Sequence, residues 1–496
     1  MKKSILTLIL SVLSLGAFGS TMPMLCPEPT YHDISLTEYV PYSVVNIACP
    51  DATAADWAKR HLKQWYGKFA PQVAATNENT SSLGKEAYRL IITPKGATIS
   101  ASTLQGVRYA LYTLRQLAIP KRNTERLEGW IVPVATIEDE PHMEFRGVHI
   151  CWFRENEAWE IERLIRLAAY YKLNYAVIEP WGTYRSKVAP WFGWSEGKMT
   201  IKEIKRLKAI ADDLGIMLIP QLNVFGHATC SRVGAGKHAS LDMHPEYQSY
   251  FEPMAGWNWC LSNPHTKTLQ KQLIKELYEA FGCPEYFHIG CDEATVPSCP
   301  DCIARSYSTL FTEHVKEISS YVKELGAKTL MWHDMLIERN DPRWKGLHAK
   351  GTKATASVLN ELPKDIVICD WYYRKPRATY PSLEHFKSLG FDVVTCPWEN
   401  RQGTIAEIKA AHKIGIKGVL GTLWHHYYGE SLINSYFYVS SLSWNSNASL
   451  AAFGSQRNNR YVFHTHLRHI GWDMKNRRAR NTGIYCNEVP IDSHMH

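Results

Sequence analysis

The chain has 496 residues, with 56 Lys and Arg against 48 Asp and Glu, 45% hydrophobic and 21% charged residues. This is the composition of a folded globular protein long enough for two or three cores, and it excludes disordered and collagen-like architectures. The formal charge of +8 is spread along the sequence without the basic face that nucleic-acid binding needs, so no nucleic-acid partner is predicted. The 26 Tyr, 17 Trp and 15 Phe supply faces for core packing and for stacking on flat ligands such as sugar rings.

Met1-Lys2-Lys3, the apolar run 5–15 and Ala17-Phe18-Gly19 read as an export signal over 1–19, which predicts a periplasmic or extracellular mature protein. No later stretch reaches the roughly 18 uninterrupted apolar residues of a membrane helix, so the chain is not predicted to span a membrane. Residues 20–140 read as a small α+β domain. Its elements are a strand at 44–48, a helix at 52–69 with Trp57, Leu62 and Trp65 at helical spacing, strands at 88–93 and 97–101 around Pro94-Lys95-Gly96, and an amphipathic helix at 103–117.

From 141 to 445 the pattern is strand alternating with helix. Eight β-rich apolar runs fall at 145–150, 174–179, 216–222, 286–290, 329–333, 365–371, 392–398 and 418–424, and helical stretches fall at 157–171, 201–214, 266–281, 311–325 and 404–412. Eight parallel repeats of this kind predict an α/β fold, a (β/α)8 TIM barrel following the small α+β domain. Residues 446–496 read as an extension packed on the barrel. Such a barrel carries its chemistry at the C-terminal strand ends. Here those ends hold Glu179, Gln221, Asn223, Asp292-Glu293, Trp332-His333-Asp334, Asp370-Trp371, Trp398-Glu399 and Trp424-His425-His426.

Asp292 and Glu293 end the run Tyr286-Phe287-His288-Ile289-Gly290-Cys291. Consecutive side chains at a strand end point in different directions, which does not suit two carboxylates facing each other across a glycosidic bond about 5 Å or more apart. It suits a division of labour in which one protonates the leaving oxygen and the other holds a substrate group that attacks from within the same molecule. Cys283, Cys291, Cys299 and Cys302 include a C-x-x-C and offer four thiolates, but they bracket a strand rather than two zinc knuckles. A disulfide or buried free thiols is the expectation there.

His288-Ile289-Gly290-Cys291-Asp292-Glu293 resembles the His-Ile/Leu-Gly-Gly-Asp-Glu signature of glycoside hydrolase family 20, the β-N-acetylhexosaminidases. Tyr88-Arg89-Leu90 through Gln116-Leu117 is similar to that family's N-terminal α+β domain. Phe145-Arg146-Gly147, Lys172-Leu173-Asn174, Gly226-His227-Ala228 and His244-Pro245-Glu246 are similar to its first three barrel strands. The resemblance implies an exo-acting, retaining, substrate-assisted hydrolase of terminal β-linked N-acetylhexosamine in a glycan or oligosaccharide, with no metal or cofactor. It implies Glu293 as general acid and base with a raised pKa, and Asp292 as the carboxylate that holds the acetamido nitrogen. Arg146 would bind ring hydroxyls, and His227, Trp332, Asp334, Trp371, Trp398, Glu399 and Trp424 complete the implied pocket.

Several positions depart from the family pattern. Cys291 replaces a Gly, which requires a backbone there that is not Gly-only. Cys151 stands where Asp is common, with Arg154 kept. Gln221 and Asn223 replace Glu and Asp, Glu399 stands in place of a Tyr and His426 in place of a Glu. Tyr372 or Tyr373 is the candidate replacement for the missing phenol. Two other readings stay open at this point. One is a relative that binds N-acetyl sugars without turnover, and the other a metal-dependent barrel hydrolase using His425-His426 or His464, His466 and His469.

Overall fold

A computed structural model describes residues 25–124, 126–153, 156–193, 196–229, 240–253, 256–424, 427, 429–449, 462–463 and 465–467. The leader, Arg154, His425, His426, His464 and His469 lie outside the described residues, as does most of the expected extension at 446–496. The described residues fall into two units, one running to Pro141 with 447–449 and 462, the other covering 142–446 with 463 and 465–467.

The first unit is a mixed sheet in the order β1 (Tyr31–Pro41), β7 (Arg126–Asp139), β4 (Tyr88–Thr93), β5 (Gly96–Ala101), β2 (Val44–Ala48), β3 (Gln72–Thr76), with β6 (Ile119–Asn123) paired to β7. Helices Ala54–Tyr66 and Leu104–Leu117 accompany it. The second helix starts at a Thr103 cap whose hydroxyl accepts from the Gly106 N–H, which satisfies one of the orphan donors of a helix start. Pro133 lies inside β7, where a missing N–H normally excludes proline from a paired strand. The β1 register shifts between Ile34 and Tyr39, and Tyr39 is paired with Pro133, so the irregularity sits where the donor is absent.

The second unit contains eight parallel strands in the order β10 (Met217–Pro220), β9 (Tyr175–Trp181), β8 (Phe145–Phe153), β15 (Gly418–Leu423), β14 (Asp392–Pro397), β13 (Val367–Tyr372), β12 (Lys328–Trp332), β11 (Tyr286–His288). All eight expected strands and all five expected helices are present. Phe145, Val177, Ile219, Tyr286, Leu330, Val367, Val394 and Leu420 fill the interior, one β-branched or bulky apolar group from each strand, as barrel layers require. The ring closes between the two shortest strands through a single parallel bridge, Gln221 to His288. Among the described residues no helix is long and apolar enough to cross a membrane.

Arg146 departs from expectation. Phe145 stacks on Tyr175 inside the barrel, so strand alternation turns Arg146 outward at the start of β8, the end opposite the functional rim. Its guanidinium donates to the carbonyls of Met143 at 2.7 Å and Lys172 at 3.2 Å and lies 5.1 Å from the Trp444 ring centroid. This is a buried structural arginine, not a ligand for ring hydroxyls. Replacing it leaves buried carbonyls without donors, so Arg146→Met should cost ~2 kcal/mol or more in denaturant unfolding while leaving ligand affinity of the folded protein unchanged. Weakened affinity at wild-type stability would contradict this placement.

Candidate active site

The chain leaves β11 through a run of unusual backbone. Gly290, Cys291 and Glu293 have φ of 68°, 72° and 47°, and His227 on the neighbouring loop has 55°. Gly290 has no alternative, since a Cβ there would lie 1.7 Å from Asn223 Oδ1. Cys291 sits in the left-handed region that its replacement of Gly was expected to avoid, at a cost on the order of 1 kcal/mol. Strain of this kind persists where surrounding structure over-determines it, and here the bracing is visible. Leu222 N and Val224 N donate to the His288 and Ile289 carbonyls at 3.0 and 3.1 Å, and a Cβ on Gly226 would collide with the Asp292 carbonyl at 2.3 Å.

These turns bring the two carboxylates to one histidine but leave them unequally exposed. Asp292 is nearly buried, with Oδ2 3.3 Å from His227 Nε2. The Glu293 side chain is 34% exposed, with Oε2 3.4 Å from the same nitrogen and Oε1 2.9 Å from Lys350 Nζ. Its main chain is pinned on both sides, the N–H donating to Asp334 Oδ2 and the carbonyl accepting from Trp257 Nε1, each at 2.8 Å.

The electrostatics reverse one expectation. The hydrogen bond from His227, then the bond and charge of Lys350, outweigh burial and hold the Glu293 carboxyl down at about 2. The raised value belongs instead to Asp334, which burial and then the charge of Asp292 push up to about 8. Asp334 is fully buried and serves protein donors. Besides the Glu293 N–H it accepts from Trp371 Nε1 at 3.2 Å, and its carbonyl accepts from the Lys350 and Gly351 N–H groups. Expected as a sugar ligand, it is the post to which Glu293, Trp371 and the Lys350 loop are tied.

Three of the four expected tryptophans meet at Tyr373. Trp371 stacks on Tyr373 at 4.9 Å, Trp398 meets Tyr373 edge-on at 5.3 Å, and Trp424 Nε1 donates to the Tyr373 hydroxyl at 2.7 Å. Tyr373 is thus the phenol that these three indoles surround. Tyr372 donates to the Lys375 carbonyl. Trp332 is fully buried against His288 and His149, a floor rather than an open wall. Glu399 is partly buried, which raises its pKa. Glu179 ties the floor together, accepting from Asn223 Nδ2 at 2.8 Å and lying 2.8 Å from His149 Nε2.

A cavity of about 610 Å³ opens on the Lys350 side of Glu293, lined by Trp257, Glu293, Glu338, Arg339, Lys350 and Lys353 among others. Sequence reasoning missed Lys350, Trp257 and this cavity. Lys350 lies in the irregular stretch between β12 and β13, where no periodicity marks it.

The sequence matches the catalytic domain of glycosyl hydrolase family 20 over residues 180–431 and domain 2 of the same family over residues 25–140. The chain belongs to glycoside hydrolase family 20. It is 26% identical over 325 residues to a lacto-N-biosidase of Bifidobacterium bifidum, covering 60% of this chain and 25% of that protein. It is 25% identical over 406 residues to a β-hexosaminidase of Vibrio furnissii, covering 73% of this chain and 61% of that one. The chain thus spans less than two thirds of either relative. The fold is similar to that of an exo-β-N-acetylglucosaminidase from Vibrio harveyi in complex with N-acetylglucosamine, with a TM-score of 0.68, 18% identity, and 95% and 80% of the two chains covered.

Two outcomes follow from this geometry. Asn at position 334 keeps only one acceptor oxygen for two donors, so Asp334→Asn should lower kcat/KM on the order of 10- to 100-fold by loosening Glu293 or Trp371; an unchanged value would remove Asp334 from its tethering role. Lys350→Gln removes a cation that favours the Glu293 anion, so the Glu293 pKa rises. The alkaline limb of the kcat/KM–pH profile should then move to higher pH by on the order of one unit, and a limb that stays in place would show that Lys350 does not hold this carboxyl.

Proposed function

We propose that the protein removes terminal β-linked N-acetylhexosamine from glycans by a retaining mechanism in which the substrate's acetamido oxygen is the nucleophile. The observation that carries this reading is that Asp292 and Glu293 are consecutive and converge on one nitrogen, His227 Nε2, at 3.3 and 3.4 Å, while Asp334, the carboxylate tied to the same turn, is buried against protein donors. A protein nucleophile would have to face the acid across the sugar.

In the first step Glu293 gives its proton to the glycosidic oxygen as the acetamido carbonyl oxygen closes on the anomeric carbon, forming an oxazolinium ring. Asp292 accepts the acetamido N–H and balances the charge developing there, in a position shielded enough for that charge to count. In the second step Glu293 takes a proton from water as the water oxygen attacks the anomeric carbon and reopens the ring. Trp371, Trp398, Trp424 and Tyr373 supply the stacking faces for the ring and the acetamido methyl. Glu293 is held ionised by two partners, so productive binding has to break one of those contacts before the first step. Lys350 faces the cavity that a leaving group would occupy, and it is the one displaced. The charge and apolar pattern of residues 1–19 supports the proposal that the protein is exported and acts in a periplasmic or extracellular space.

The name of the similar exo-β-N-acetylglucosaminidase supports an N-acetylated substrate. The test is hydrolysis of a panel of β-linked N-acetylglucosaminides, N-acetylgalactosaminides, 6-sulfo-N-acetylglucosaminides, glucosides and galactosides. Only the N-acetylated sugars should react. Glu293→Gln should lose on the order of 10²- to 10⁴-fold with alkyl or sugar leaving groups and recover with a dinitrophenyl leaving group, which departs without protonation. Asp292→Asn should stay impaired with both. A wild type that binds N-acetylglucosamine but turns over none of these would establish the binding-only relative in its place.

A further inference from the structure

The cysteines that cluster are not the four that the sequence brackets. Cys283 is exposed and Cys291 is buried apart from the others, but Cys299 and Cys302, in the segment after β11, meet Cys260 from the segment after β10. Cys260 Sγ lies 3.7 Å from Cys299 Sγ and 3.8 Å from Cys302 Sγ. These separations are far beyond the roughly 2.05 Å of a disulfide. They match the edge of a tetrahedron whose centre-to-sulfur distance is that of zinc to thiolate, about 2.3 Å, for which the edge is about 3.8 Å.

A carboxylate completes the set. Glu252, with Cys260, Cys299 and Cys302, places one ligand atom per residue within 4.8 Å of all the others. Glu252 is 4% exposed. Its Oε2 is fixed by the Ser298 and Cys299 N–H groups, both at 2.7 Å, whereas its Oε1 is buried with no hydrogen-bond partner. A buried carboxylate oxygen without a donor is costly unless a cation takes it. The other such grouping among the described residues, His149, Cys151 and Glu179, differs because its carboxylate already has His149 and Asn223 as partners.

We propose that Cys260, Cys299, Cys302 and Glu252 hold one structural zinc ion that staples the loop following Glu293 to the loop following His227. Zinc binding releases the three thiol protons and gives a closed four-ligand site with no position left for substrate or water, the hallmark of a structural rather than catalytic centre. Thiolates select a soft, borderline cation over calcium or magnesium. The donors around the set are already placed for it. The Cys302 N–H points at Cys299 Sγ at 3.3 Å, and the two N–H groups on Glu252 Oε2 orient the carboxylate, as outer partners do at zinc sites. The same two loops are joined beside the cluster by Asn258, whose amide bonds Thr295 in both directions.

The test is elemental analysis of the full chain purified under reducing conditions without chelator and supplied with zinc chloride. The expected result is one zinc per chain, an X-ray absorption shell of three sulfurs at about 2.3 Å and one oxygen at about 2.0 Å, and a Tm that falls by on the order of 5 °C or more on chelation. The paired variant Cys260→Ser with Cys302→Ser should lose the metal. If that variant does not fold, the wild-type absorption shell decides alone. A folded wild type that takes up no zinc, a disulfide among these three cysteines in the zinc-supplied protein, a nitrogen- and oxygen-only shell, or zinc retained by the paired variant would each overturn the proposal. None of these readouts uses glycosidase activity, so they stand or fall separately from the proposed reaction.

Discussion

The barrel closes through one pair of residues, Gln221 and His288, between its two shortest strands, and Asp292 and Glu293 follow directly on that seam. Short strands leave few ladder bonds to hold the third and fourth strands together, so the loops beyond them take over. Leu222 and Val224 extend the pairing, Gly226 lets the two backbones touch at Asp292, and Trp257 holds the Glu293 carbonyl. The proposed zinc site lies on the same seam, one loop further out. The left-handed backbone at His227, Cys291 and Glu293 is what such cross-bracing can sustain, and with it two consecutive carboxylates reach one nitrogen while differing in exposure.

Two carboxyl groups within this small volume are driven to opposite protonation behaviour by their surroundings. Asp334 is pushed up by burial and by its neighbour Asp292, whereas Glu293 is pulled down by His227 and Lys350. Environments that push such groups apart assign their roles. In the proposed reaction Asp334 organises the site from its buried position, and Glu293 reacts once its Lys350 contact is exchanged for a leaving group. The Lys350 contact also holds the partly exposed Glu293 carboxylate from one side, and in the proposed reaction substrate binding has to restore the proton that this contact disfavours.

Much of this was legible in the sequence. The barrel strands are continuous apolar runs, the signature of strands buried on both faces, and all eight emerged. The Asp292-Glu293 pair and the aromatic rim were legible because barrel chemistry is confined to strand ends. In the N-terminal unit β1 and β7 were not, since β1 mixes polar and apolar residues on a largely exposed edge and β7 carries Gly129 and Pro133. Arg146 was misplaced although the needed signal was present, because alternation from Phe145 already turns it outward. Trp332 was placed at the right height, but a side chain directed inward at a narrow barrel end is filled over by its neighbours. Glu252, Cys260 and Lys350 carried no signal, since each depends on where a long irregular loop returns to the rim.

The central claim is that the nucleophile belongs to the substrate. It is tested most directly by comparing kcat across a series of β-glucosaminides whose N-acetyl group carries none, one, two or three fluorine atoms, with the leaving group held constant. Fluorine withdraws electrons from the amide oxygen, so the account predicts a steep fall in kcat with each substitution. A flat series, with the fluorinated sugars cleaved as fast as the acetyl parent, would show that the amide oxygen takes no part and would contradict the account.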